Sequence, residues 1–148
     1  MNKYLVTARC VVDRDGKFFV IKIPPGRENE GSLSFLSGRF DTIDETPGHD
    51  SLSDTAARKV FAEIGMFLQD PIIYITSNFF VNPITGTPTI DVVFYCQLKK
   101  TIPVIIPMTY DQLEYYWLTA EEINQREDAP ALLKNYINYL QRISFVRF

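Results

Sequence analysis

Residues 33–66 constrain the architecture of this chain more than any other stretch, because an acidic loop punctuated by glycine and proline runs straight into one amphipathic helix. In that helix Leu52, Ala56, Val60 and Ile64 recur every fourth residue and share one apolar face. Asp50 and Ser51 offer N-cap oxygens, Ser51 and Asp54 stand at capping-box spacing, and Gly65 falls where a helix stops. The loop before it holds Gly38, Pro47 and Gly48 together with Asp41, Asp44 and Glu45. A glycine-rich acidic loop feeding a helix suits a hydrated divalent cation and the phosphates it carries.

The flanking segments predict a sheet. Residues 4–12 and 17–23 are extended apolar runs joined by the turn Asp13-Arg14-Asp15-Gly16, which predicts a hairpin. Ile90, Val92, Phe94, Cys96 and Leu98 alternate strictly and predict a half-buried strand, joined through the turn residues 82–88 to an antiparallel strand over 72–81. Residues 114–119 predict a late strand. Thr119 and Glu122 form a second capping box that opens a short helix, and Asp128 and Pro130 signal a last helix over 129–143. Residues 101–110 read as an irregular edge segment or a loop over the site. The sequence shows no internal repeat.

Composition bounds the function. At 148 residues, 46% apolar and 22% charged, the chain suits one globular domain spanning residues 1–148 with a single core. A net charge of −3 argues against a general nucleic-acid binder, which needs a basic face. No apolar run approaches a membrane span, and Arg9 interrupts the N-terminal run where a signal sequence would be continuous. A cytoplasmic location is therefore expected. Cys10 and Cys96 sit inside apolar strand patterns and read as small buried hydrophobes of a reducing compartment.

The central segment resembles the Nudix box, G-x5-E-x7-R-E-U-x-E-E-x-G-U with U apolar. Arg58, Val60, Glu63, Gly65 and Met66 match it, and Asp50 stands where the pattern has its first glutamate. Lys59 and Ala62 replace two of the three helix glutamates. Gly38 is the best match for the leading glycine, with a longer loop between it and Asp50 than the family has. Phe35-Leu36-Ser37-Gly38 is similar to the family's glycine-rich entry, and Asp41 stands at the place of a frequent acid. The order of hairpin, box, further strands, a Glu114 shortly before Trp117 and a closing helix is similar to the family arrangement, so the resemblance spans nearly the whole chain. It implies an α+β fold, an α/β/α sandwich in which helices flank a mixed central sheet.

The resemblance also implies a hydrolase that cuts a nucleoside diphosphate linked to another moiety, with Mg2+ or Mn2+ as cofactor. In the family three helix carboxylates at i, i+3 and i+4 share one face and hold the ion against a diphosphate, where it polarises the phosphates and readies a water. Here those places are Lys59, Ala62 and Glu63, and Lys59 and Glu63 form an i,i+4 pair of their own. A single positive charge about 5 Å from a divalent ion opposes it by roughly 6–7 kcal/mol at an effective dielectric of ~20. Even a residual of about 3 kcal/mol weakens binding more than a hundredfold. The metal site is thus expected to be weakened, with Asp41 and Asp50 of the loop joining Glu63 as ligands.

The remaining roles follow from the same likeness. Glu63, Arg58 and Glu114 are catalytic candidates, Glu114 as general base and Arg58 as the residue that orients a neighbouring glutamate. Gly38, Arg39, Lys22 and Arg27 are candidate substrate contacts, the three cations for phosphate. His49 reads as a solvent-exposed loop residue. Tyr74, Phe79, Phe80 and Tyr116 lie on strands that border the cleft in this fold, where one ring can stack on a base. The implied ligand is a small nucleotide or nucleotide-sugar-like molecule, with no nucleic acid and no membrane. Relatives often form homodimers, and the apolar tail Ile143, Phe145, Val146 and Phe148 offers a surface for pairing or for docking on its own sheet. The alternative is a catalytically inactive Nudix domain that binds a nucleotide-like ligand or a protein partner.

Overall fold

The computed structural model describes residues 4–27, 29–39, 52–53, 55–58, 72–82, 85–98 and 114–146. In chain order the elements are β1 (Leu5–Arg14), β2 (Lys17–Lys22), β3 (Leu33–Ser34) and β4 (Leu36–Arg39). A helix α1 follows at residues 52–53 and 55–58, then β5 (Ile73–Val81), β6 (Pro88–Leu98), β7 (Tyr115–Leu118), α2 (Ala120–Gln125) and α3 (Ala131–Val146).

The expected hairpin forms because its turn supplies the backbone it needs. Asp15 and Gly16 both take positive φ, 57° and 81°, as a two-residue turn matched to strand twist requires. Asp13 Oδ1 accepts from the Gly16 amide at 2.9 Å and fixes the corner. Asp13 then faces Phe18, and Arg14 faces Lys17.

The seven strands among the described residues form one sheet with the main path β3-β2-β1-β6-β5. β1 and β6 run parallel, from Leu5 beside Thr89 to Arg14 beside Leu98, while the other pairings are antiparallel. Away from β6, β1 is shared between β2 at Asp13–Arg14 and β4 at Thr7–Cys10. β7 pairs with β2, which brings the late strand next to the hairpin.

Successive strand residues point to opposite faces, so β1 feeds two cores rather than the single one expected. Val11 joins Val20, Phe35 and Val93 beneath Ile123 of α2 and Leu133, Ile137 and Leu140 of α3. Ala8, Cys10 and Val12 join Phe19, Leu36, Phe94 and Cys96 beneath Ala56 of α1. The sheet is mixed and covered by helices on both faces, the expected α/β/α layering.

β6 corrects one expectation. Its alternation predicted a half-buried strand, yet Thr89, Asp91, Val93 and Tyr95 on the other face are buried as well. The strand lies between β1 and β5 with helices on both sides, so the phase that looked solvent-facing meets α3 instead. Cys10 and Cys96 are both buried and free, their sulfurs 3.8 Å apart. The Cys10 thiol is pushed well above its ordinary range, first by the contact with Cys96 and then by burial.

α2 opens as expected, with the Thr119 hydroxyl accepting from the Glu122 amide and the Glu122 carboxylate accepting from the Thr119 amide. α3 begins at Ala131, two residues later than expected, and extends to Val146. No described helix is long and apolar enough to cross a membrane. Asp41, His49, Asp50, Lys59, Ala62, Glu63, Gly65 and residues 101–110 lie outside the described residues.

Candidate ligand-binding site

The end of β2 opens onto a cavity of about 350 Å³ lined by Lys22, Pro24, Pro25, Glu30 and Glu114, among others. Pairing of β2 with β7 sets Ile21 against Tyr115, and the next rung joins the Lys22 amide to the Glu114 carbonyl at 2.9 Å. The loop after β2 folds back on itself, the Ile23 amide donating to Ser32 and the Gly31 amide to Ile23, both at 2.9 Å. Gly26 and Gly31 give it the positive φ values, 87° and 82°, that such a return needs.

A chain of polar contacts links two of the cavity's lining residues, Lys22 and Glu114. The Lys22 ammonium lies 3.8 Å from Asp128, whose two oxygens accept from Arg126 Nε and Nη2 at 2.9 Å each. The Arg126 guanidinium sits 4.6 Å from the Tyr116 ring centre, and the Tyr116 hydroxyl donates to Glu114 Oε2 at 2.7 Å. The Arg126 hydrogen bonds hold the Asp128 carboxyl below the usual carboxylate range. Lys22 and Asp128 are partly solvated, so their pairing leaves the ammonium available to an incoming anion.

A second cavity, of about 340 Å³, lies between the sheet and α3 and is lined by Arg9, Ser34, Ser37, Leu133 and Tyr136, among others. At its base the Asp91 carboxylate is fully buried and accepts three hydrogen bonds: from Thr7 Oγ1, from Arg9 Nε at 2.7 Å and from the Tyr136 hydroxyl at 2.7 Å. Arg9 Nη1 donates in turn to Ser34 Oγ at 3.1 Å. The parallel register creates the cluster, since Thr7 stands beside Asp91 and Arg9 projects from the same face two residues on. Burial, reinforced by the Asp91 charge, pushes the Tyr136 phenol well above its ordinary range and keeps it a proton donor.

No model of a known protein family matches the sequence, and no curated protein matches it by sequence. Solved structures do match. The MutT protein of Methanosarcina mazei superposes with a TM-score of 0.76 at 20% identity, over 97% of this chain and 96% of its own. A Nudix hydrolase from Alicyclobacillus acidocaldarius gives 0.72 at 15% identity, over 93% and 91%. The Ap4A hydrolase of C. elegans gives 0.69 at 16% identity, over 95% and 98%. The chain has the Nudix fold.

Within this Nudix fold the candidate residues from the sequence separate into groups. Lys22 and Glu114 come together at the first cavity. Arg27 is exposed in the loop after β2, and Gly38 sits on β4 beside Ala8 with the Arg39 backbone beside Thr7. Arg58 is exposed on α1, where its Nη2 donates to Thr55 Oγ1 at 3.3 Å. Arg27, Gly38 and Arg58 are not among the described residues lining the two cavities. Glu63, Asp41 and Asp50 lie outside the described residues. Among the described residues no group of three His, Cys, Asp or Glu side chains is placed to hold a metal ion. The residues expected to hold Mg2+ or Mn2+ are thus not among those described.

Arg9, Asp91, Ser34 and Tyr136 were not candidates from the sequence. The signal was present in part, since Arg9 and Asp91 are the opposite charges that interrupt two otherwise apolar strands. What joins them is the β1–β6 register, which no local pattern encodes.

Proposed function

We propose that this protein is a Nudix-type hydrolase acting on a nucleoside diphosphate linked to another moiety, with a divalent-metal site weakened by Lys59 and Ala62. The observation that carries the proposal is a Nudix fold, shared with hydrolases over nearly the full chain, in which Lys22 and Glu114 line one cavity. An ammonium and a carboxylate so placed suit a substrate that is anionic and reacts with water. Lys22 neutralises phosphate oxygens, and Glu114, held by the Tyr116 hydroxyl, accepts a proton as general base. Arg27, Gly38 and Arg39 would add phosphate contacts beyond that cavity, and Arg58 would orient Glu63. Asp41, Asp50 and Glu63 would hold Mg2+ or Mn2+, which would polarise the phosphates and ready a water when bound. One structural neighbour is named for hydrolysis of Ap4A, a nucleotide, which is in keeping with a nucleotide-like ligand.

The test is a panel of nucleoside diphosphate derivatives incubated with the purified protein and Mg2+ or Mn2+, with phosphate and nucleotide release measured. Slow metal-dependent turnover on at least one is expected. Converting Lys59→Glu together with Ala62→Glu is expected to tighten metal binding on the order of a hundredfold, read by calorimetry. No turnover on any compound, together with no metal-dependent thermal shift, overturns the hydrolase assignment.

A second reading, a catalytically inactive Nudix domain that binds a nucleotide-like ligand or a protein, is favoured by the replacement of two box glutamates by Lys59 and Ala62. Nucleotide binding without turnover in both the natural protein and the double variant is its signature.

A further inference from the structure

We propose that β5 is a self-association edge: two copies of this chain pair their β5 strands antiparallel about a two-fold axis at Ser77, which joins their sheets into one. Such pairing is independent of any hydrolase activity.

β5 ends the sheet path and has β6 as its only strand neighbour among the described residues. Nine residues long, it holds no charged side chain and no proline, two devices that commonly keep an exposed edge from pairing. Six large hydrophobic side chains are exposed among the described residues, and four of them stand on this strand. They are Ile73, Tyr74, Phe79 and Val81, between 47% and 58% exposed. The Tyr4 ring, centred 6.2 Å from that of Phe79, props it from the side away from the edge.

The strand's own order of residues selects a second copy as the occupant. Along β6, Tyr74 stands opposite Phe94 and Thr76 opposite Val93, so a bulge takes Ile75 out of the count. Tyr74, Ser77 and Phe79 therefore share the face of α1, while Ile73, Thr76, Asn78 and Phe80 share the face of α3. With that spacing, an antiparallel copy turned about Ser77 sets Tyr74 against Phe79 and Ile73 against Phe80. It also sets Thr76 against Asn78 and Ser77 against itself. Each rung matches apolar to apolar or polar to polar, with both members on one face. A closed two-fold pair requires a patch that is complementary to itself, and β5 is one.

The area fits a reversible pair. Half-exposure of the four apolar side chains amounts to about 400 Å² per copy. With Ser77 and the strand's main chain added, a symmetric pair covers on the order of 1,000 Å², the lower end for a specific interface.

The experiment is sedimentation velocity of the full chain from about 1 to about 300 µM, without ligand or metal. A reversible monomer–dimer equilibrium with a Kd in the micromolar range is expected. Ser77→Lys replaces an exposed serine and sets two ammonium groups against each other on the axis, so the Kd is expected to rise at least about tenfold. Ser77→Cys is expected to form an intermolecular disulfide with oxidised glutathione, whereas Glu121→Cys, at an exposed position of α2, is not. Cys10 and Cys96 are buried and stay out of that reaction. Ser77→Cys carries the test if Ser77→Lys fails to fold by circular dichroism. A monomer at every concentration, or assemblies larger than a dimer, overturns the pairing. So does an unchanged Kd in folded Ser77→Lys, or equal cross-linking at positions 77 and 121.

Discussion

Asp91 shows what one residue can impose on a core. A fully buried carboxylate is tolerable only while its donors remain, and Thr7, Arg9 and Tyr136 supply them from two different elements. Arg9→Met by itself strips the counter-charge and leaves the anion, so a loss of about 3–5 kcal/mol is expected in urea unfolding. Adding Asp91→Asn is expected to restore most of that loss, because no lone charge then remains. Tyr136 has a pH signature of its own. Its phenol is held above the ordinary value in the folded chain, so the fold retains a proton that the unfolded chain releases above about pH 10. The resulting stabilisation is complete below that pH and is lost as pH rises toward the folded-state value. Unfolding midpoints between pH 8 and 11 are expected to fall more steeply for the natural protein than for Tyr136→Phe.

At the scale of single elements, what was legible in the sequence is what neighbours in the chain decide. The hairpin turn at Asp15-Gly16 and the capping box at Thr119 and Glu122 each draw their partners from within three residues, and both formed as expected. Thr119→Ala removes the acceptor for the Glu122 amide and is expected to cost about 1 kcal/mol by chemical denaturation. β6 was legible only on one face. The burial of its Asp91 depends on Thr7, 84 residues away along the chain, and no periodicity reports such a partner. The site divides in the same way. Lys22 and Glu114 were found because a family pattern places a base and an acid at those points, whereas Arg9 gains its surroundings only when β1 lies beside β6.

For the whole molecule the sheet is the shared wall of two cores, and β1 and β6 contribute to both. Damage on either side therefore weakens the same strands. Ile137→Ala on the sheet-facing side of α3 and Leu36→Ala on the opposite face of the sheet each empty a fully or almost fully buried site, and each is expected to cost about 2–5 kcal/mol. If the sheet couples the layers, each variant will unfold in one transition, with circular dichroism and tryptophan fluorescence of Trp117 coinciding. Separate transitions for the two probes would show that the layers melt independently.

The parallel pairing of β1 with β6 also sets a timetable for biosynthesis. A contact such as Thr7 with Asp91 spans 84 residues. At ordinary elongation speeds of about 5–20 residues per second, β1 leaves the ribosome roughly 4–17 s before its neighbour exists. During that interval its apolar edge is a target for chaperones and for the strands of other nascent chains, and closing so long a loop makes refolding slower than for a helical protein of equal size.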